Sequence, residues 1–190
     1  MVFRTISLAL GLFLLAAGAR ADLQLKPQTG EYELEGFKFT RVVFQDSNGE
    51  RVTYSPPSDW EYSGDVDRFI LHPKQKTGAE AAITRASLSK PQVFDEETMK
   101  QLSAEAISSL PNGASQAEIV AQEKNPVLIE RKETYLVVIN YTLRGHPQSR
   151  SVMFANRANE QLRFQLTCGR ADFKELQKAF LGSHFSWQNL

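Results

Sequence analysis

ETYLVVINYTL, residues Glu133 to Leu143, is the stretch that decides how this chain folds. In an extended strand Tyr135, Val137, Ile139, Tyr141 and Leu143 share one face, and Leu136 and Val138 lie on the other. A strand that alternates apolar with polar residues can leave one side in water, but a strand apolar on both sides has to be covered twice. The stretch therefore predicts a central strand packed on two faces.

Working outward toward the C-terminus, the turn Gly145-His146-Pro147 follows, and then SRSVMFAN and QLRFQLTC form a hairpin about residues 157–160. Within the second of these, Leu162, Phe164, Leu166 and Cys168 share a face, opposite Arg163, Gln165 and Thr167. That alternation points the only thiol in the chain inward, so Cys168 reads as core packing with a raised pKa and not as a nucleophile. A closing helix is expected from Asp172, with Glu175 completing a capping box and Phe173, Leu176 and Phe180 forming its apolar stripe. Gly182 is expected at the C′ position.

Toward the N-terminus, FKFTRVVF and RVTYS flank Asp46-Ser47-Asn48-Gly49 as a hairpin, which Pro56-Pro57 stop. SDWEYSGD reads as a loop, RFILH and AEAAITRASL as strands. A helix then starts at the N-cap Asp95, with Glu96 and Glu97 in its first turn and Met99, Leu102, Ala106, Ile107 and Leu110 at helical spacing, and Pro111-Asn112-Gly113 ends it. AEIVAQEK and VLIER continue the meander around Asn125-Pro126. Runs of strands with two inserted helices argue for an α+β class built on an antiparallel sheet.

The first residues, MVFRTISLALGLFLLAAGARA, carry Arg4, an apolar run from Ile6 to Ala17 and the small-residue end Ala19-Arg20-Ala21. This is the pattern of a secretory signal peptide cleaved after Ala21, and its apolar run falls short of the roughly 20 residues that a bilayer-spanning helix needs. The expected organisation is a signal peptide over 1–21, a polar extended arm over 22–35 without sustained periodicity, and one domain over 36–190. That places the protein outside the cytoplasm, secreted or periplasmic, with no stable membrane anchor. Lys and Arg number 22 and so do Asp and Glu, so there is no basic excess to hold nucleic acid. A lone cysteine makes no internal disulfide, and export must then rely on packing.

No metal-binding spacing links His72, His146 and His184, and GxSxG, SxxK, Walker A and GxGxxG motifs are absent from the sequence. No cofactor and no catalytic residue is therefore assigned, although dispersed groups remain open. The acids at 95–97 read as cap and helix-dipole partners. Two contact candidates remain: the hairpin LRGHPQSR, which puts Arg144, His146 and Arg150 at one end of the sheet, and the aromatic tail Phe185 to Trp187. For Trp187 the competing reading is docking on the core.

The order of elements is informative as a whole. Ser55-Pro56-Pro57-Ser58-Asp59-Trp60, short strands, one mid-chain helix, a meander and a final F-x-x-L-x-x-x-F helix before SHFSW resemble the PsbP-like superfamily, from roughly Phe37 to Trp187. That group contains extrinsic photosystem II subunits, Ran-binding Mog proteins and many exported bacterial proteins. The resemblance implies an α/β/α sandwich with a central antiparallel sheet and helices packed on its faces, and a non-catalytic role in protein binding or assembly. It does not carry over a photosynthetic role, because function lives in the site and not in the scaffold. The expectation is an exported binding or assembly factor whose partner is another protein of the envelope or secretory compartment. The alternatives are a small-ligand binder or enzyme with dispersed residues in a cleft between sheet and helix, and a photosystem-associated lumenal protein.

Overall fold

The computed structural model describes residues 22–90, 92–157 and 159–190. The signal peptide expected over 1–21 lies outside the described residues. Fourteen elements follow in order: β1 (Leu23–Leu34), β2 (Phe37–Asp46), β3 (Arg51–Tyr54), β4 (Trp60–Gly64), β5 (Arg68–Pro73), β6 (Glu80–Ser87), α1 (Glu96–Ser108), β7 (Ala114–Lys124), β8 (Thr134–Leu143), β9 (His146–Arg157), β10 (Glu160–Gly169), α2 (Phe173–Ser183), a 3-10 turn (His184–Ser186) and β11 (Gln188–Asn189). The strands form two antiparallel sheets, ordered β1-β2-β3-β11 and β4-β5-β6-β10-β9-β8-β7. Among the described residues the chain is thus mostly β with two helices. The single central sheet of the sequence reading is joined by a second, because the first hairpin pairs with β1 and β11 and not with the meander.

The strand that opened the sequence reading, β8, is second from the edge of the larger sheet and not at its centre. Its two sets of side chains nonetheless enter two different cores. Tyr135, Val137 and Ile139 pack with Leu102 and Ala106 of α1 and with Phe94, Val152 and Phe154. Leu136 and Val138 belong to a larger cluster with Leu176 and Phe180 of α2, Phe44, Val52 and Tyr54 of the small sheet, and Leu162, Phe164, Leu166 and Cys168 of β10.

Several elements differ from the sequence expectation, each for a physical reason. The arm over 22–35 is the strand β1, paired with β2 from Leu23↔Asp46 to Leu34↔Phe37. Its Leu23 and Leu25 are fully buried, but two leucines two residues apart in a polar stretch make too short a pattern to read as a strand. Glu35 and Gly36, at φ 50° and 82°, make the tight turn between them. SDWEYSGD contains β4, an edge strand in which only Trp60 is buried, so it carries no period. A Cβ on Gly64 would come within 2.9 Å of the Arg68 carbonyl and 3.1 Å of that of Leu25, so glycine permits β1 to approach β4 and β5.

VLIER is not a strand. Val127 and Ile129 are buried, and an isolated bridge joins Ile129 to Lys132 across Glu130 and Arg131, both left-handed at φ 51° and 61°. Asp95 caps α1 as expected, its Oδ1 accepting from the Thr98 N–H at 2.8 Å. Asp172 makes no such cap: its carboxylate instead accepts from Lys76 Nζ at 2.7 Å. Gly182 lies inside α2, which runs on through the 3-10 turn because His184 and Trp187, three residues apart, both dock inward.

His184 is a core residue. It is fully buried, with ring centroids 4.5 Å from both Phe164 and Phe180, and neither ring nitrogen is hydrogen-bonded. Burial pulls its pKa down to about 3. Cys168 is buried as read, and burial, with the Asp172 carboxylate second, pushes its thiol up to about 11.

Two predictions follow from these buried groups. The native protein should resist thiol-specific alkylation at pH 7 and react stoichiometrically once unfolded, as mass spectrometry would show; fast native labelling would refute the inward placement of Cys168. Because the unfolded chain protonates His184 first, stability should be full above about pH 6.5 and fall toward pH 3, by roughly 3 kcal/mol at pH 4.5. Urea denaturation of His184→Phe should lose that slope, and an unchanged slope would show that the imidazole is not the cause.

Candidate functional site

The contact patch expected at the β8–β9 hairpin is only partly formed. Arg144, left-handed at φ 52°, and His146 are exposed beside Gly145. Arg150 is not part of any surface patch, being only 6% exposed. Its Nη1 donates to the Ser109 carbonyl at 2.7 Å and its Nε to Thr167 Oγ1 at 2.9 Å. It thus satisfies a carbonyl at the C-terminal end of α1, a place where a cation is favoured, and ties that helix to β9 and β10.

Trp187 is also withdrawn from contact, at 3% exposure. Its ring centroid lies 5.2 Å from that of Phe164 and 5.5 Å from that of Phe44. The residue of the aromatic tail that does face solvent is Phe185, at 69% exposure. Since a 3-10 turn brings i and i+3 to the same side, inward His184 and Trp187 oblige Phe185 to point out.

Phe185 borders a groove of about 620 Å³ whose other walls are Leu128, Glu130, Arg131, Trp187, Gln188 and Asn189. Leu128 is 50% exposed. The turn Glu130–Arg131 lines the same groove, and its left-handed backbone is costly for residues with a Cβ. The turn is held by ion pairs beneath it. Arg157 Nε lies 2.8 Å from Glu130 Oε1, and its Nη1 lies 2.9 Å from Glu160 Oε1. Glu160 also accepts the Leu23 N–H at 3.2 Å, and Arg85 bridges Asp22 and Asp67 at 3.4 and 2.8 Å. Burial raises the pKa of Glu160 and Arg157 opposes that rise. Arg131, by contrast, makes no ion pair among the described residues. Phe185 is legible from sequence as part of the aromatic tail, whereas nothing periodic marks Leu128 or Arg131.

A second concavity, of about 630 Å³, lies between α1 and the β7–β8 edge of the larger sheet. Met99, Ala104, Ile107 and Ile119 give it apolar walls. On its floor Ser103 Oγ meets the Tyr135 hydroxyl at 2.8 Å and Gln122 Nε2 at 2.7 Å. Sequence reasoning placed Met99, Ile107 and Tyr135 on apolar faces and Glu96 at the helix start but assigned none of them to a site, because the polar groups of the cleft come from α1, β7 and β8 and converge only in the fold. Among the described residues no cluster of His, Cys, Asp and Glu is arranged to hold a metal ion, and no helix is long and apolar enough to cross a membrane.

Breaking the buried ion network should be expensive. Arg157→Ala removes the shortest ion-pair partner of both Glu130 and Glu160, leaving them only Lys132 at 3.5 Å and Arg85 at 4.0 Å, and is expected to cost about 3 kcal/mol in urea denaturation. Arg68→Ala, which breaks a pair whose side chains are 45% and 41% exposed, should cost less than about 1 kcal/mol. Equal costs would remove the network from its structural role.

No protein-family model matches the chain, and no curated protein matches it. Among solved structures, it is similar to cyanobacterial PsbP (CyanoP) from Synechocystis sp. PCC 6803, with a TM-score of 0.50 and 12% identity over 94% of this chain and 99% of that one. A Pseudomonas aeruginosa protein of unknown function, PA94, aligns over 80% of this chain and 91% of its own, with a TM-score of 0.46 and 17% identity. The likeness to the cyanobacterial protein shows a PsbP-like fold and nothing of function.

Proposed function

We propose that this PsbP-like domain is a non-catalytic binding or assembly factor, and that its contact face is the groove between Leu128 and Phe185. The observation that carries the reading is the pairing of two large, half-exposed to exposed apolar side chains across one groove. Full burial of a side chain of this kind contributes roughly 1.5 to 3 kcal/mol, of which about half for Leu128 and more for Phe185 is left for a partner to recover. Aromatic side chains and arginine are the residues enriched where proteins meet, and Arg131, which makes no ion pair among the described residues, lines the same groove. The turn beneath is fixed by buried ion pairs, so the face is presented with little conformational freedom left to lose on binding.

The partner is a protein of the compartment to which the N-terminal segment would direct the chain, the periplasm or the exterior. Arg144 and His146 form a separate, smaller polar contact at the β8–β9 turn, whereas Arg150 and Trp187 serve the interior. The non-catalytic reading rests on the motif-free sequence. The α/β/α layering is supported by the division of β8 between a core closed by α1 and a core that includes α2. No residue of either concavity favours a photosystem partner.

The test is capture of native envelope or secreted proteins on the chain beginning at Asp22, compared with capture on Leu128→Glu/Phe185→Ser. Both substitutions are at exposed positions and should shift stability by no more than about 0.5 kcal/mol. A partner retained by the parent protein and lost with the double variant is expected. Identical retention on both would sink the assignment of this face.

A further inference from the structure

The cleft between α1 and β7 carries a donor and acceptor pattern of its own. Ser103 Oγ has one hydrogen and lies 2.7 Å from the Met99 carbonyl oxygen, which can only accept. That contact uses the hydrogen, so the Tyr135 hydroxyl and the Gln122 amide nitrogen must both donate to Ser103. The capacity left over is mainly accepting: a lone pair on the Tyr135 phenolic oxygen and the Gln122 carbonyl oxygen, beside one remaining amide N–H. Ser103 and Tyr135 are buried, so the hydroxyl pair is built into the core, and the exposed Gln122 is held over it by its 2.7 Å hydrogen bond to Ser103.

The rim adds to the same preference. Lys124 is engaged by Glu133 at 3.1 Å, while Glu96 and Glu123, which also line the cleft, make no ion pair among the described residues. Lys100 is a cation at the rim that offsets one of these acids. Met99, Ala104, Ile107 and Ile119 line the space between floor and rim. A cavity of about 630 Å³ is of the size that takes a small molecule.

We propose that this cleft is a binding site for an aliphatic or aromatic amine, whose ammonium group donates to Tyr135 Oη and Gln122 Oε1 while its apolar body lies along Met99, Ile107 and Ile119. A carboxylate of the same shape would meet acceptors on the floor and acids at the rim. The same ammonium chemistry could come from a free amine or from a lysine side chain of a peptide, and the test separates the two.

Isotope-labelled protein is titrated with n-hexylamine, hexanoate and N-acetyl-lysine methylamide, and chemical shifts are followed. Hexylamine should give saturable shifts at Ser103, Ile119 and the Gln122 side-chain amide, and hexanoate none. Tighter binding of hexylamine assigns free amines; tighter binding of the lysine derivative assigns a lysyl side chain. Tyr135→Phe should weaken binding by about tenfold or more, the scale of a hydrogen bond to a charged group. The exposed substitution Glu123→Gln, safe for folding, should weaken it roughly two- to fivefold. No saturable shift, equal binding of hexanoate, or undiminished affinity in Glu123→Gln and Tyr135→Phe would overturn the proposal. The Leu128→Glu/Phe185→Ser protein should bind hexylamine unchanged, so the outcome is independent of the contact face proposed above.

Discussion

Everything in this molecule follows from the need to cover a sheet on both of its faces. β8 places Tyr135, Val137 and Ile139 on one side and Leu136 and Val138 on the other, and β9 repeats the division with Val152 and Phe154 against Met153 and Ala155. At roughly 25 cal/mol for each square ångström of apolar surface removed from water, neither face can be left bare. One is closed by α1. The other needs far more cover, and it draws on α2, the small sheet and the turn at 184–187 together.

That demand explains the ends of the described chain. Leu23 and Leu25 are drawn into the larger core, so β1 is part of the fold from its first residues. At the other end Phe180, His184 and Trp187 join through Phe164 into an aromatic wedge, and the wedge holds an imidazole without a hydrogen bond. Such a group is tolerated because it stays neutral, its pKa depressed by burial. Where the small sheet meets the larger one, the charged residues Arg157, Glu160, Glu130 and Arg85 pair with one another, since an unpaired charge at that depth would be far more costly.

Both concavities are consequences of this layout. The Leu128–Phe185 groove exists because the turn at 130–131 is pinned from below while residues 184 and 187 dock inward and leave 185 outside. The α1 cleft exists because the helix sits over β8 and β9 and leaves the β7 edge uncovered, as the open lining by Ile119 and Gln122 shows. One site presents apolar groups and an arginine, the other a set of hydrogen-bond acceptors, so the two fit different kinds of ligand.

The sequence by itself determined what is local and periodic. The alternation in β8 and β10, the inward thiol of Cys168, the hairpin about 46–49 and the Asp95 cap are each written within a few consecutive residues. The two-residue pattern at Leu23 and Leu25, the edge strand at Trp60 and the continuation of α2 past Gly182 are not, because each depends on a partner far along the chain. The candidate sites fall in the second class. Arg150 read as a surface group until Ser109 and Thr167 closed around it, and for Trp187 only the packing of Phe44 and Phe164 decided between a contact residue and one docked on the core. Tyr135 read only as a face of β8, and Ser103 and Gln122 gave no signal, until three elements converged, because hydrogen-bond direction and burial are properties of packing and not of any single stretch of chain.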